Sequence, residues 1–533
     1  MAASASSQSS AQPPYSLSVA VVGGGAAGLA AALELRRAGH RPVVYEQRAS
    51  IGGVWDYTEE VEDDPLGRGQ RHVHGSMYAQ LRTNLPREVM GFQSFPFDTA
   101  WRGSKDPRQF CEHSEVQRYL EAFAEEFQLL QHVRFGTVVQ RLAPSDAAAA
   151  NGSSSSSGSA PPDWLRWQVT TQPAADGQAA ASSSGSSSEL FDAVVVCNGH
   201  YSRPRLPQLP GQDAFPGLQT HSHNYRRPDG FAGQTVLLVG ASSSGVDIAE
   251  ELAAAGARQV ILCARVWENP LTGEVVEAGS QTLASASVST AAAAAAAGGK
   301  GGSSSGGVPA GAVAALPAGI SKAANLAELH ADGSVTLEDG TRIPDIDCVM
   351  YCTGYHYSFP FLDGFVTVQD NRVGPLYQHV FPPAAAPTLS FVGLPWKVVP
   401  FPQFELQSRW IAQVLAGRAQ LPSRQEMEAH TAQFYASLEA AGVPTRYTHR
   451  MSGALQWEYD RWLAAQCGDS ALPGFAWREA MYNCCGMSRK LHGAGYRDAP
   501  LPAAAEAEAE ARKEAAQLRQ QRAAAVAAAT AAR

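Results

Sequence analysis

Short apolar runs rich in β-branched residues recur along the chain, and each pair of runs flanks a segment with the apolar period of a helix. The two sets are Ser18–Val22, 29–38 and 42–45, and then Thr235–Val239, 246–255 and Gln259–Cys263. Each set predicts a strand, a helix and a second strand. Strands that alternate with helices in this way predict an α/β fold with a parallel sheet in each unit.

A glycine-rich turn joins the strand to the helix in the first unit. It consists of Gly23, Gly24, Gly25, Ala26, Ala27 and Gly28. Its first glycine permits a tight turn, its third lets the backbone approach a pyrophosphate, and its last lets the helix pack closely on the strand. Glu46 ends the second strand, where a carboxylate can accept hydrogen bonds from the hydroxyls of an adenosine ribose. This arrangement predicts a dinucleotide site in a Rossmann-like domain.

The turn alone does not distinguish FAD from NAD. A loop of Gly52, Gly53, Val54 and Trp55 follows Glu46 closely. Paired glycines let the backbone come near a cofactor that extends across the domain. This placement resembles flavoproteins with two dinucleotides, so we expect FAD, with Val54 and Trp55 in its binding site.

The second unit has a related turn with serine at the middle glycine position. Its cofactor-binding candidates are Gly240, Ser242, Ser243, Ser244 and Gly245. A serine hydroxyl is small and can itself donate to a phosphate. Arg265 follows the second strand, in the place where the first unit carries its glutamate, and a guanidinium there suits a 2′-phosphate. The second cofactor is therefore expected to be NADPH, although a solvated arginine at the end of a strand is the alternative.

Length and composition divide the chain into domains and low-complexity segments. A chain of 533 residues exceeds the usual size of a single core. We predict an FAD-binding domain at 16–206 and 329–500, with an NADPH-binding domain at 207–328 inserted in it. The Gly/Ser/Ala-rich tracts at about 145–188 and 280–319, and the leader at 1–15, bury too little apolar surface to fold and are expected to be disordered. The Ala/Glu/Arg-rich tail at 501–533 predicts a frayed, solvated helix.

Charge, cysteine content and missing motifs argue against several functions. The net charge is -9 without a clustered basic stripe, so nucleic acid is not an expected partner. The eight cysteines show no Cys-x-x-Cys pair and no metal-binding spacing, which predicts reduced thiols, no metal site and a cytoplasmic protein. The Ser/Ala-rich leader leaves an organelle open. The sequence contains no apolar run of about 18 residues, so no transmembrane segment is predicted. The motifs of serine hydrolases, zinc proteases and P-loop proteins are also absent from the sequence.

The segment between the two units carries a further pattern. Residues 215–225 match the form FxGxxxHxxxY through Phe215, Gly217, His221 and Tyr225. Because this pattern stands directly before the second unit, the chain resembles the flavin-containing monooxygenases, whose signature helps to position the two cofactor domains. Residues 76–97 resemble the family's TNxPxE segment, and residues 351–355 resemble its ATGY element. Residues 400–410 and 446–451 resemble the plant branch that S-oxygenates thioethers, and the similarity covers most of residues 17–500.

The resemblance implies an enzyme that uses FAD, NADPH and O2 to place one oxygen atom on a soft nucleophile. The substrate would be a small thioether, or an amine such as N,N-dimethylaniline, and the reaction would pass through a C4a-hydroperoxyflavin. Thr83 and Asn84 of the TNxPxE segment would contact FAD, and the Asn84 amide would hydrogen-bond near the flavin and oxygen. Alternatives are Baeyer–Villiger or indole-3-pyruvate oxygenation, an NADPH reductase or oxidase without oxygen transfer, and a catalytically silent FAD-binding scaffold.

Overall fold

A computed structural model describes residues 15–69, 73–101, 103–145, 164–174, 185–268, 275–276, 319–451, 453–468, 475–501 and 504–531. Most of the predicted disordered segments lie outside these residues. They are the leader up to residue 14 and the tracts at 146–163, 175–184 and 277–318. For these tracts, disorder stays a prediction.

The secondary structure alternates strands and helices in the first two thirds of the chain and is mostly helical in the last third. The strands are β1 (Ser18–Val22), β2 (Arg41–Tyr45), β3 (Val133–Arg134), β4 (Thr137–Pro144), β5 (Trp167–Pro173), β6 (Ser187–Phe191), β7 (Ala193–Val196), β8 (Arg203–Pro204), β9 (Leu218–His221), β10 (Thr235–Val239), β11 (Gln259–Cys263), β12 (Trp267–Glu268), β13 (Val275–Val276), β14 (Ile320–Ala323), β15 (Leu326–Leu329), β16 (Val335–Leu337), β17 (Arg342–Ile343), β18 (Cys348–Tyr351), β19 (Tyr355–His356), β20 (Thr367–Gln369), β21 (Arg372–Gly374) and β22 (Leu389–Phe391). The helices are α1 (Ala26–Arg37), α2 (Arg87–Met90), α3 (His113–Glu126), α4 (Ser243–Ala254), α5 (Pro400–Leu415), α6 (Arg424–Ala440), α7 (Ala454–Gln466), α8 (Phe475–His492) and α9 (Ala505–Ala531).

The first unit is built on a parallel sheet with the strand order β22-β7-β1-β2-β3. After Ser18 every residue of β1 is buried, as is typical of a parallel strand that is covered on both faces. Helices α1 and α5 cover one face, and the antiparallel sheet β4-β5-β6 lies against the other through Tyr45, Trp167 and Phe191. The first predicted strand–helix–strand unit is confirmed, although its helix begins at Ala26 rather than at residue 29.

The second unit is a parallel sheet with the order β14-β11-β10-β18-β9. Helix α4 covers one face, and the antiparallel sheet β15-β16-β17 packs on the other. The second predicted strand–helix–strand unit is therefore confirmed. The predicted domain end at residue 328 is too early, because β18 lies between β10 and β9 in this sheet and extends the unit to Tyr351. Local periodicity cannot show which sheet a distant strand joins.

The insertion predicted at about 145–188 is folded in its middle, at residues 167–173, and at its last two residues. Strand β5 continues to Pro173 and pairs with β6, which begins at Ser187. The serines fit this sheet because their hydroxyls meet threonine hydroxyls of β5 at 3.0 Å, Ser188 facing Thr170 and Ser187 facing Thr171.

The tail forms the predicted helix, but one face of this helix is docked on the protein rather than solvated. Ala507, Ala511 and Ala515 are buried and recur every fourth residue, so one face of α9 is made of small side chains that lie close to α8. Polar contacts fix the helix further, since Trp477 Nε1 donates to Glu514 at 2.8 Å and Arg519 pairs with Asp98 at 2.9 Å. The helix therefore docks through small side chains, although its lack of large apolar residues predicted a solvated helix.

None of the helices in the described ranges is long and apolar enough to cross a membrane. The eight cysteines, which all fall within the described residues, form no disulfide.

Candidate cofactor and active site

The first glycine-rich turn lies between the carboxyl end of β1 and the start of α1, and two of its glycines are sterically required. Gly23 has a φ of 107°, and a Cβ there would lie 2.6 Å from the carbonyl oxygen of Cys197. A Cβ on Gly28 would lie only 1.9 Å from the carbonyl oxygen of Gly23. Helix α1 has Gly25 at its N-cap without a side-chain cap, and Ala26 and Ala27 form its first residues. The uncapped N–H groups there are available to an anion.

Glu46 lies beside this turn, as the sequence predicts. The Gly24 N–H donates to one carboxylate oxygen at 2.7 Å, and the Arg48 N–H donates to the other at 2.8 Å. Burial raises the pKa of Glu46, and the two backbone donors and the nearby Arg48 oppose that shift. Since each carboxylate oxygen has a second lone pair, Glu46 can still accept from a ribose hydroxyl.

The Gly52–Trp55 loop and the Asn84 segment both lie against the first turns of α3. Gly25 and Gly52 form a backbone bridge, and Gln117 of α3 donates to the Ile51 carbonyl at 3.0 Å. Residues 53–55 form a short 3-10 helix in which Val54 and Trp55 are half-buried. One turn earlier on α3, the His113 N–H donates to the Leu81 carbonyl at 3.0 Å. The fold thus brings the loop after β2 next to the segment that contains Thr83 and Asn84.

Thr83 is buried, whereas Asn84 is exposed. The Thr83 N–H donates to the Cys111 carbonyl at 2.8 Å, and its carbonyl accepts from Arg497 Nε at 3.0 Å. The Cys485 thiol lies 3.7 Å from the Asn84 carbonyl. The backbone at this position is therefore held from both sides, and the Asn84 amide is accessible to a ligand.

The second turn repeats the steric pattern of the first. Gly240 has a φ of 115°, and a Cβ there would lie 2.5 Å from the Cys352 carbonyl oxygen. A Cβ on Gly245 would lie 1.9 Å from the Gly240 carbonyl oxygen, the same distance as at the first turn. Ser242 is the N-cap of α4 but makes no capping hydrogen bond. Ser242 and Ser244 are exposed and Ser243 is half-buried, so this helix start is also open to an anion.

Arg265 is exposed just beyond the carboxyl end of β11, and the fold brings a second arginine near it that the sequence argument missed. Arg205 donates from Nη2 to the Thr353 carbonyl at 2.5 Å, directly after β18 of the same sheet. Burial lowers the pKa of Arg205, and the neighbouring Arg446 and Arg265 lower it further. This edge of the second sheet therefore carries concentrated positive charge. A proline-rich loop such as 203–210 gives no signal of this proximity in the sequence.

The signature residues form the edge of the second sheet. Phe215 and Tyr225 are buried, and a Cβ on Gly217 would lie 2.6 Å from the Phe215 ring. His221 ends β9, accepts the His223 N–H at Nδ1 at 3.0 Å and contacts the Gly354 carbonyl through Nε2 at 3.1 Å. Burial lowers the pKa of His221 to about 3, with a smaller effect from His223, so the ring is neutral and its Nε2–H donates. The hydrogen bonds of His221 are therefore made to the protein's own backbone.

The signature is also tied to the first unit. Arg226 is buried, and its guanidinium donates to five backbone carbonyls, which belong to Thr58, Glu60, Gly75, His223 and Tyr225. The His223 ring contacts Glu62 at 3.1 Å. These contacts hold Thr58, Glu60, Glu62 and Gly75 of the first unit against the start of the second. Sequence reasoning identified neither Arg226 nor Glu62.

Comparisons with known proteins agree with this architecture. The profile of the family described as flavin-binding monooxygenase-like matches residues 16–279 and 314–461. The chain is 45% identical to flavin-containing monooxygenase FMO GS-OX-like 2 of Arabidopsis thaliana over 475 residues, 88% of each chain. It is similar to the structure of S-allyl-L-cysteine S-oxygenase from Allium sativum, with 40% identity, a TM-score of 0.76 and coverage of 94% of this chain and 99% of the other. Tmm from Pelagibacter sp. strain HTCC7211 shares the fold at 22% identity, with a TM-score of 0.66 and coverage of 90% and 93%.

The cofactors of this family explain why the N-termini of α1 and α4 both lack a side-chain cap. FAD and NADPH are the cofactors of flavin-containing monooxygenases, and each has a pyrophosphate that suits an uncapped helix N-terminus beside a glycine-rich turn. With two such turns on two parallel sheets, the chain belongs to the flavin-binding monooxygenase-like family and is an FAD- and NADPH-dependent monooxygenase.

Proposed function

We propose that this enzyme oxygenates the sulfur atom of small thioethers. With NADPH, a proton and O2, a sulfide would yield a sulfoxide, NADP+ and water. The observation that carries the proposal is the similarity to the S-allyl-L-cysteine S-oxygenase over nearly the whole chain. The Arabidopsis relatives, whose names contain GS-OX, are consistent with it.

The two helix starts fit the two cofactors. FAD would lie at the turn of residues 23–28, with its ribose at Glu46 and its extended part beside Gly52, Val54 and Trp55. NADPH would lie at the turn of residues 240–245, with its 2′-phosphate near Arg265. When bound, the flavin supplies hydride acceptance from NADPH and transfer of one oxygen atom of O2.

The protein's own groups would bind and orient the cofactors and the substrate and would exclude water, since the sulfur is itself the nucleophile. The exposed Asn84 amide would donate and accept hydrogen bonds beside the flavin without changing charge. The backbone contacts of Thr83 keep that amide in place. The neutral, buried His221 would hold the two units in register and would not transfer a proton during turnover.

A product screen tests the proposal. The purified, FAD-loaded enzyme is given NADPH and labelled O2 with a prochiral sulfide, N,N-dimethylaniline, a cyclic ketone or indole-3-pyruvate. Catalase is present so that free hydrogen peroxide cannot oxidise the sulfide. We expect labelled sulfoxide with one enantiomer in excess and with NADPH consumed in proportion.

The other products distinguish the alternatives. An amine oxide, lactone or indole-3-acetate formed faster than sulfoxide would replace the proposed substrate class. NADPH consumption with only hydrogen peroxide as product for every substrate would contradict oxygen transfer itself.

We also propose a cytoplasmic location, because eight cysteines without a disulfide are typical of a reducing compartment. Localisation of a fluorescent fusion, with and without residues 1–15, tests this. Import into an organelle that depends on the leader would contradict it.

A further inference from the structure

Arg497 connects the segment of Asn84 to the second dinucleotide unit. It lies in the short 3-10 helix Gly493–Arg497 that follows α8. Its Nε donates to the Thr83 carbonyl at 3.0 Å, and its Nη2 donates to Asp247 Oδ2 at 2.6 Å. The exposed fractions of the two paired side chains are 10% and 13%, so solvent screens this ion pair only weakly.

Asp247 stands in α4, two residues beyond Gly245 of the second turn. It also accepts from the Tyr78 hydroxyl at 3.2 Å, and Tyr78 lies six residues before Asn84 in the chain. One carboxylate therefore receives donors from two parts of the first unit. Any tilt of α4 that moves the second turn away from Asn84 must break these hydrogen bonds.

The charges around Arg497 make this connection hard to replace. Glu250 and Glu251 lie on the same part of α4, and burial together with the charge of Asp247 raises the pKa of each to about 7. The Tyr225 hydroxyl donates to Glu251 at 2.7 Å. Arg497 thus offsets a group of half-buried carboxylates, and its removal would leave Asp247 without its charged partner.

We propose that Arg497 is a positioning residue that fixes the second dinucleotide turn relative to Asn84 and so keeps NADP+ beside the flavin. This inference rests on the proposed function. We call the contacts of Arg497 with Asp247 and with the Thr83 carbonyl the bridge. With the bridge intact, NADPH, a proton, O2 and a sulfide yield NADP+, sulfoxide and water. Without it, a larger share of the same NADPH, proton and O2 yields NADP+ and hydrogen peroxide, and the sulfide is left unchanged.

Arg497→Met removes the bridge and keeps most of the apolar part of the side chain, Arg497→Lys keeps the charge, and Asp247→Asn removes the acceptor's charge. Arg519→Met is the matched control, because Arg519 also pairs with an aspartate, Asp98, but lies on α9 away from the second unit. All variants are measured for hydrogen peroxide formed per NADPH, for the dissociation constant of NADP+, and for hydrogen exchange in α4 and at residues 81–85.

We expect Arg497→Met and Asp247→Asn to raise peroxide per NADPH and to weaken NADP+ binding by between about 2-fold and 30-fold. Hydrogen exchange should rise in α4 and around Thr83, and Arg497→Lys should recover part of each loss. The double variant should lose less than the sum of the two single losses, since both substitutions disrupt the same Arg497–Asp247 contact. Arg519→Met should match wild type in coupling and in NADP+ binding.

Wild-type coupling, NADP+ binding and hydrogen exchange in both Arg497→Met and Asp247→Asn would overturn the proposal. If Arg497→Met does not fold, Asp247→Asn decides alone. A wild-type enzyme that makes no sulfoxide contradicts the proposed function, whereas the dissociation constant and hydrogen exchange still decide whether the bridge positions the two units.

Discussion

Replacing the last glycine of either turn with alanine should weaken the binding of one cofactor and leave the binding of the other unchanged. A Cβ on Gly28 or on Gly245 would lie 1.9 Å from a backbone carbonyl oxygen of its own turn. Ordinary carbon–oxygen contact is about 3.4 Å, so the start of the helix must move by more than about 1 Å. No side-chain rotation relieves the clash because both partners are fixed by the backbone.

Such overpacking costs about 1–3 kcal/mol, and the cost falls on the turn that must face a pyrophosphate. If this whole cost opposes cofactor binding, the dissociation constant of the cofactor rises by about 5-fold to 150-fold. Gly28→Ala should therefore lose FAD during purification, which lowers flavin absorbance per protein. Gly245→Ala should retain FAD and instead require more NADPH for reduction of the flavin.

Gly486→Ala provides the control, because Gly486 lies within α8, is exposed, and would place its Cβ in open space. Alanine favours a helix over glycine by about 1 kcal/mol, so this variant should bind both cofactors normally and melt no lower than wild type. Full FAD content at wild-type affinity in Gly28→Ala would refute the assignment of the first turn. Normal NADPH binding in Gly245→Ala would do so for the second.

Three further predictions concern binding, coupling and pH. Arg265→Ala should weaken the binding of NADPH by about 1.5–3 kcal/mol and leave the binding of NADH unchanged, and Arg205→Met should act in the same direction. The ratio of the kcat/KM values for NADPH and NADH measures this, and an unchanged ratio in both variants would place the 2′-phosphate elsewhere. Asn84→Ala should consume NADPH but form sulfoxide about 10²-fold more slowly, with hydrogen peroxide replacing it; a wild-type yield of sulfoxide per NADPH would make Asn84 structural. Burial lowers the pKa of His379 to about 4 and that of His449 well below its usual value, and their Nδ1 atoms lie 2.9 Å apart. The contribution of neutral His379 to stability is complete above about pH 6.5 and is lost as pH falls toward about 4, at about 1.4 kcal/mol per pH unit, and that of neutral His449 is lost in the same direction; denaturant unfolding across this range tests it, and no loss of stability toward acid pH would be inconsistent with a buried, neutral pair.

Both strand–turn–helix units and the family could be predicted from the amino-acid sequence. Those features are local: a parallel strand is a short apolar run, and a glycine is required wherever the next turn of backbone comes within van der Waals distance, as at Gly28 and Gly245. The helical character of the tail is equally local, because it follows from the propensity of alanine and glutamate.

Which distant residues meet becomes visible only in the folded chain. β18 joins the second sheet between strands that precede it by more than a hundred residues, and this moved the end of that unit. Arg205 comes near Arg265, and Arg497 reaches Asp247, 250 residues away, through packing between separate elements. No periodicity or motif encodes such a meeting, because it depends on the register of strands and on how closely helices approach, as the alanine face of α9 shows. Local chemistry specifies the two turns, whereas the distance between them is set by contacts that exist only after the chain has folded.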